Sequence, residues 1–290
     1  MSKQASGIMA MDLPTRIQAA LQEDCPTIDV TCEVMVPEDA QGTALITCKG
    51  SGVVAGRIIW DAFASVYPNI TWECELDDGT RVQPGDRWGR LTGPLRQLLH
   101  AERVFLNLLG KMGGIATATR QLVDALSDPD IAVLDTRKTT PLWRDIERVA
   151  VRAGGGVNHR LHLSDMVLIK ENHLMAHDQA GRSLAHTIQS ASHRYPTIRI
   201  MLEIETIQQA RELALEGIHM ILLDNMDPST IKEVVGVIRR RGFNGELEVS
   251  GRITIDTIAA YRGLPIQRIS VGSMTHSATV LDISMRVSHD

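Results

Sequence analysis

The sequence predicts an α/β protein in two parts, a small sheet with helices followed by an incomplete (β/α) barrel, and three observations carry that reading. The chain's 290 residues exceed the roughly 100 to 200 of one ordinary domain, so two cores are expected. From Ile131 onward, short apolar runs alternate with charged or glycine-containing loops and helical stretches, the texture of a β/α series. That series holds six apolar runs, IAVLD, MVLI, IRIMLEIE, HMILLD, LEVSG and RISVG, in about 140 residues, whereas a full eight-fold barrel takes about 250.

In the first part, Leu13, Ile17, Ala20 and Leu21 fall at helical spacing, and a polar stretch, EDCPTIDVT, leads into the alternating strand pattern TALITC. Between residues 71 and 93, Asp78-Gly79 and Pro84-Gly85 supply turn chemistry between short strands. After Pro94, the run LRQLLHAERVFLNLLGKMGG reads as a long helix that connects the two parts. Leu95, Leu98, Leu99, Phe105, Leu106 and Leu109 share one face, and Gly113-Gly114 is expected to end it.

Composition removes several function classes. Hydrophobic residues at 43% and charged residues at 22% exclude wholesale disorder, collagen and coiled coil. The apolar stretch from Gly52 to Ile70 is broken by Arg57 and Asp61, so no membrane span is expected; the N-terminus lacks an apolar signal core, which points to the cytoplasm. Cys25, Cys32, Cys48 and Cys74 contain no C-x-x-C pair and read as structural thiols. A formal charge of −5 argues against a nucleic-acid partner.

The chemistry is expected where barrel strands end, because those loops converge on one mouth. Arg137 and Lys138 follow the first run and Lys170 the second, and from Arg137 to Lys170 seven Lys or Arg face only three acids. Arginine forks suit carboxylate and phosphate, and lysine suits phosphate oxygens, so a small polyanion is the expected ligand. Arg144, Arg148 and Arg152, spaced four apart, read as a solvated helix face. Glu203 and Asp224 end successive strands 21 residues apart, and two hard oxygen donors opposite basic groups suggest Mg²⁺ held with a substrate's phosphates. Ser250-Gly251 and Gly272 offer backbone amides that can cradle phosphate. His159 and Arg160 follow three glycines that let a loop approach a ligand closely. His173 and His177 lack the H-E-x-x-H pattern of a zinc site, and Arg239-Arg240-Arg241 reads as a helix C-terminus.

The strings AERVFLNLLGKMGGIATATR, LDTRKTTP, RAGGGVNHRLHLSDMVLIKENHL, LEIE, ILLDNM, LEVSGRIT and ISVGSMTHSATVLDIS occur in the order and spacing of one enzyme family. From about Leu13 to Ile283 the chain resembles quinolinate phosphoribosyltransferase. The resemblance implies an N-terminal α/β sandwich domain (1–113), an incomplete α/β barrel (114–274) and a C-terminal segment (275–290) returning to the first domain. It implies that quinolinate and phosphoribosyl pyrophosphate yield nicotinate mononucleotide, CO₂ and pyrophosphate, with Mg²⁺ and no organic cofactor, in a homodimer or larger homo-oligomer. Carried over by motif, Arg103, Arg137, His159 and Arg160 would bind quinolinate, with Lys138 and Lys170 near both substrates. Glu203 and Asp224 would sit near the ribose and metal, and Ser250, Gly251 and Gly272 at the pyrophosphate. In the family Arg103 comes from the neighbouring subunit.

Four departures stand out: DCPTIDVT replaces a glycine-containing loop, Leu142-Trp143 stands where Gly is usual, His162 replaces a common Gly, and Arg252 follows Ser250-Gly251. Arg252 is expected to add a phosphate contact. The rival readings are a same-fold homologue acting on another acid, which typically lacks the equivalents of Asn158 and Lys170, and a non-catalytic anion-binding module, which has no need of Glu203 and Asp224.

Overall fold

The computed structural model describes residues 11–181 and 183–288; the first ten residues, read above as part of a leaderless N-terminus, lie outside them. The chain divides into two compact units. Residues up to Thr117 and from Thr279 onward form one, and Ala118–Ala278 the other.

In unit 1, α1 (Leu13–Asp24) starts at Asp12, whose side chain accepts from the Thr15 amide, and buries Leu13, Ile17 and Leu21. The DCPTIDVT stretch ends in a second capped helix: Asp29 accepts from the amides of Thr31 and Cys32 and opens α2 (Val30–Met35). There follow β1 (Gln41–Cys48), β2 (Gly52–Val53), α3 (Arg57–Val66), β3 (Thr71–Cys74), β4 (Arg81–Val82), β5 (Arg87–Pro94) and α4 (Leu95–Leu126). The main sheet has the order β12-β1-β5-β3, its outer strand β12 (Ile283–Ser288) coming from the end of the chain. Its core concentrates the few aromatics. Trp60 and Phe63 of α3 meet Phe105 of α4 edge-on at centroid distances of 4.9 and 5.0 Å, and Trp72 of β3 closes the group 5.1 Å from Phe105. Such pairs are worth roughly 0.5–1.5 kcal/mol each beyond their area. Cys32 and Cys48 are buried free thiols, both pushed up to about 11 chiefly by burial, in keeping with a structural role.

The expected helix end at Gly113-Gly114 is wrong: α4 runs on to Leu126. The glycines answer to packing. The returning chain crosses the helix here, and the Leu281 amide donates to the Gly110 carbonyl at 2.9 Å. A Cβ on Gly113 would lie 2.8 Å from Leu281 Cδ2, and one on Gly114 would strike the Thr279 carbonyl oxygen.

Unit 2 contains the six expected strands, all parallel: β6 (Ala132–Leu134), β7 (Met166–Ile169), β8 (Arg199–Ile204), β9 (Met220–Asp224), β10 (Glu246–Ser250) and β11 (Arg268–Ser270). The helices between them are α5 (Arg144–Ala153), α6 (Glu171–Gln179), α7 (Leu184–Arg194), α8 (Ile207–Glu212) and α9 (Pro228–Arg240), with α10 (Ser273–His276) after the last strand. Strands β8 and β9 are buried along nearly their whole length, as parallel strands covered on both faces must be. The order β6-β11-β10-β9-β8-β7 makes the first two strands in sequence the two outer edges. The barrel is therefore incomplete, with a seam between β6 and β7. Val157 partly covers the free edge of β6, its amide donating to Val133 at 2.8 Å and its carbonyl accepting from Asp135 at 3.2 Å.

Replacing Gly114 by Ala tests the crossing at α4. In an ordinary helix interior this change gains about 1 kcal/mol; against a fixed carbonyl it should instead cost about 1–3 kcal/mol. Scanning calorimetry should show a lowered unfolding midpoint, and a raised one would dismiss the packing explanation.

Candidate active site

A cavity of about 490 Å³ opens at the C-terminal ends of the unit 2 strands. Its lining includes Arg137, Lys138, His159, Arg160, Lys170, Asp224, Ser250, Gly251, Arg252 and Gly272, which sequence reasoning assigned to one mouth. Glu203 does not line the cavity, but its buried carboxylate holds the Lys170 ammonium in an ion pair. Arg103 sits apart: it lies on the stretch of α4 belonging to unit 1 and is exposed there.

Two loops bring the arginines in. The first follows β6, and on it Arg137 presents a buried Nε with no partner among the described residues, a donor left for a ligand. The second runs from Val157 towards β7, and Arg160 is anchored by Nη1 donating to the Met166 carbonyl at 2.8 Å. Burial chiefly, and then the nearby charge of Arg137, lower the Arg160 pKa.

Asp135, fully buried at the end of β6, holds the second loop. Its Oδ1 accepts from the His159 amide at 2.6 Å and its Oδ2 from Asn158 Nδ2 at 2.7 Å. Burial nevertheless pushes its carboxyl above the usual range. The Nδ1 of His159 accepts from the Arg160 amide at 2.7 Å, and its Nε2 lies 3.3 Å from Oε1 of Glu248. That approach is at ion-pair distance but off the line of a full hydrogen bond. Glu248 also takes Arg268 Nε at 2.8 Å. Burial alone would raise the Glu248 carboxyl, but His159 and Arg268 hold it below the ordinary value.

The expectation that Arg144 and Arg148 form a solvated face is corrected. Arg144 donates through Nε to Thr139 Oγ1 at 2.9 Å and through Nη1 to the Leu161 carbonyl at 3.0 Å, and Arg148 reaches the His159 carbonyl at 2.5 Å. Arg152 alone of the three is exposed. Their i, i+4 spacing looks the same whether the face meets water or loop carbonyls. Asp135 and Glu248 were missed as well: buried carboxylates inside apolar strands carry no spacing signature.

Opposite the arginines, Glu203, Glu205 and Asp224 bring one carboxylate oxygen each within 4.8 Å of one another. Desolvation and the charges of Glu171, Asp224 and Glu203 keep the Glu205 carboxyl above its ordinary range despite the opposing charge of Lys170. Asp224 accepts from Ser250 Oγ and from Asn225 Nδ2, the latter at 2.7 Å. Asn225 takes a left-handed φ of 54° and nests against Gly251, where a Cβ would lie 2.9 Å from Asn225 Oδ1; this close fit requires glycine. The histidines excluded as zinc ligands have local partners: His173 Nδ1 accepts from the Lys170 amide at 3.0 Å, and His177 pairs with Thr187 Oγ1 at 2.9 Å.

Residues 29–113 match the family described as quinolinate phosphoribosyl transferase, N-terminal domain, and residues 115–286 match its C-terminal domain. The chain belongs to the quinolinate phosphoribosyltransferase family. Within that family it is 39% identical to the probable carboxylating nicotinate-nucleotide pyrophosphorylase of Bacillus subtilis, over 92% of this chain and 90% of that one. It is 36% identical to the mitochondrial decarboxylating quinolinate phosphoribosyltransferase 2 of Nicotiana glauca, over 95% of this chain and 82% of that one. Among solved structures, NadC from Streptococcus pyogenes superposes with a TM-score of 0.86 at 36% identity, covering 94% of this chain and 95% of that one. The nicotinate-nucleotide pyrophosphorylase from Francisella tularensis gives 0.85 at 30% identity, covering 99% and 100%.

Asp135→Asn replaces one accepting oxygen by an NH₂ group that must face another N–H donor. The change should cost about 1–3 kcal/mol in denaturant unfolding. Wild-type stability in the variant would mean that the carboxylate does not hold the His159 loop.

Proposed function

We propose that this chain transfers the phosphoribosyl group of phosphoribosyl pyrophosphate to the ring nitrogen of quinolinate with loss of CO₂, giving nicotinate mononucleotide and pyrophosphate for NAD biosynthesis. The observation that carries the reading is one cavity lined by Arg137, Lys138, Arg160 and Lys170 together with Asp224, whose carboxylate clusters with those of Glu203 and Glu205. The family membership and the names of the relatives support it.

Arg137 and Arg160, with His159, receive the two carboxylates of quinolinate; Lys138 and Lys170 lie where both substrates meet. Ser250, Gly251, Arg252 and Gly272 hold the pyrophosphate. Glu203 and Asp224, joined by Glu205, form a hard-oxygen donor set that fits Mg²⁺, which supplies charge neutralisation to the leaving phosphates. As the C1–O bond to pyrophosphate breaks, positive charge develops on the ribose ring, and the carboxylates of Glu203 and Asp224 stabilise it. The pyridine nitrogen then bonds to C1. The quaternary nitrogen withdraws electrons from the ring, the adjacent carboxylate leaves as CO₂, and the ring carbon takes up a proton. Lys170 is held in place beside the reacting groups by its ion pair with Glu203.

The active form is a homodimer in which Arg103 reaches the cavity of the neighbouring copy. Its exposure on unit 1 suits that use. No helix among the described residues is long and apolar enough to cross a membrane, and we assign the protein to the cytoplasm.

Purified protein given quinolinate, phosphoribosyl pyrophosphate and Mg²⁺ should release CO₂ and form nicotinate mononucleotide, and exhaustive chelation should abolish both. Turnover that persists without divalent metal would sink the metal assignment, and no product from the intact protein would sink the function. Arg103→Ala and Lys138→Ala should each be nearly inactive. Unfolded and refolded as an equal mixture, they should recover about a quarter of wild-type activity, because each mixed dimer holds one undamaged site. No recovery despite demonstrated subunit exchange would remove Arg103 from a shared site.

A further inference from the structure

The ligand-binding loops sit at the weakest place in the barrel. Strands β6 and β7 are the outer edges of the sheet and share no hydrogen bonds, and the loops carrying Arg137 and Arg160 flank that seam. In a closed sheet the ladder would fix the spacing of two such loops; here two backbone hydrogen bonds between Val157 and the β6 edge anchor only the start of the second loop, and side chains hold the rest. They do so against the nearby like charges of Arg137 and Arg160.

One side chain spans both loops beyond the strand ends. The Arg144 guanidinium donates to Thr139 Oγ1 at 2.9 Å and to the Arg137 carbonyl at 3.5 Å on the β6 side, and to the Leu161 carbonyl at 3.0 Å on the β7 side. Asp135, at the root of the first loop, also crosses to the second through the His159 amide and the Asn158 side chain, but it lies at the strand end, whereas Arg144 bridges the loops beyond it. Asp135 and Arg148 hold the backbone of His159, at 2.6 and 2.5 Å, and Glu147 accepts from the Thr140 amide at 3.3 Å. We infer that Arg144 is a positioning residue that staples the open seam and sets the distance between Arg137 and Arg160, and thereby the selectivity for an adjacent dicarboxylate. The inference rests on the proposed quinolinate reading. Two vicinal carboxylates need two cationic forks at a fixed separation, whereas a single carboxylate is satisfied by one. A planar fork with several donors can bridge two loops at once; an ammonium on a flexible stem cannot reproduce that geometry.

The test is steady-state kinetics on Arg144→Lys and Arg144→Met, varying each substrate in turn, with pyridine-2-carboxylate as a competitive monocarboxylate probe. Wild-type turnover establishes the reaction independently of the variants. Both substitutions should raise KM for quinolinate about tenfold or more. KM for phosphoribosyl pyrophosphate should stay within about twofold, and inhibition by the monocarboxylate should change less than quinolinate binding. Wild-type quinolinate KM in Arg144→Lys would show that only the charge matters, and equal increases in both KM values would show general loosening; either result overturns the staple. If the Arg144 variants do not fold, Thr139→Val, which removes one acceptor of the fork, decides the matter. It should raise KM for quinolinate alone, and no change would refute the inference.

Discussion

The open seam between β6 and β7, which no strand pairing closes and which the loops carrying Arg137 and Arg160 flank, is the constraint to which this part of unit 2 answers. A site for a small dianion needs concentrated positive charge before the ligand arrives, and that charge destabilises the empty fold. The structure offsets it in layers. Arg160 is tied to the first residue of β7, Asp135 holds the backbone of the same loop, and Val157 lies against the bare edge of β6. Pairing β6 with β7 would instead fix the roots of both loops by a backbone ladder.

The acidic cluster obeys the same logic with the sign reversed. Glu203 is buried and matched by Lys170, while desolvation and the charges of Glu171, Asp224 and Glu203 raise the Glu205 carboxyl against the pull of Lys170. Beyond the Lys170–Glu203 ion pair, the two groups of charge would collapse into further salt bridges if the side chains were free to meet. Rigid strand ends prevent this: Asp224 is held by Ser250 and Asn225, and the latter is locked in a left-handed turn against Gly251. The separation of charge that suits a phosphoribosyl transfer is therefore built by backbone geometry as much as by residue choice.

How much of this was legible in the sequence follows from which interactions leave a local trace. Strands of a sheet buried on both faces must be continuous apolar runs, so all six were visible, and the residues that end them marked the mouth. The glycines of α4 misled because a helix-ending glycine and a close-packing glycine look alike until the crossing chain, more than 160 residues later in sequence, is in place. Arg144 and Arg148 misled for a similar reason, since the carbonyls they serve belong to loops whose positions depend on the seam. Glu205 stood two residues from Glu203, on the same face of an extended run, yet its place beside Asp224 depends on β8 pairing with β9.

Glu248 shows how far the arrangement constrains its own ligand contacts. A fully buried carboxylate beside an anion site is unfavourable unless it is paired, and Arg268 Nε lies 2.8 Å from one Glu248 oxygen while His159 faces the other. Because Nδ1 of His159 accepts from the Arg160 amide, the neutral ring must carry its proton on Nε2, directed at Glu248. Both ring nitrogens are then engaged within the protein. A substrate carboxylate can take a hydrogen bond from His159 only by drawing Nε2–H away from Glu248, and the poor alignment of that contact makes the exchange less costly than breaking a linear bond. In the undisturbed site His159 orients the Arg160 backbone, so its contribution to binding begins with where it places the neighbouring guanidinium.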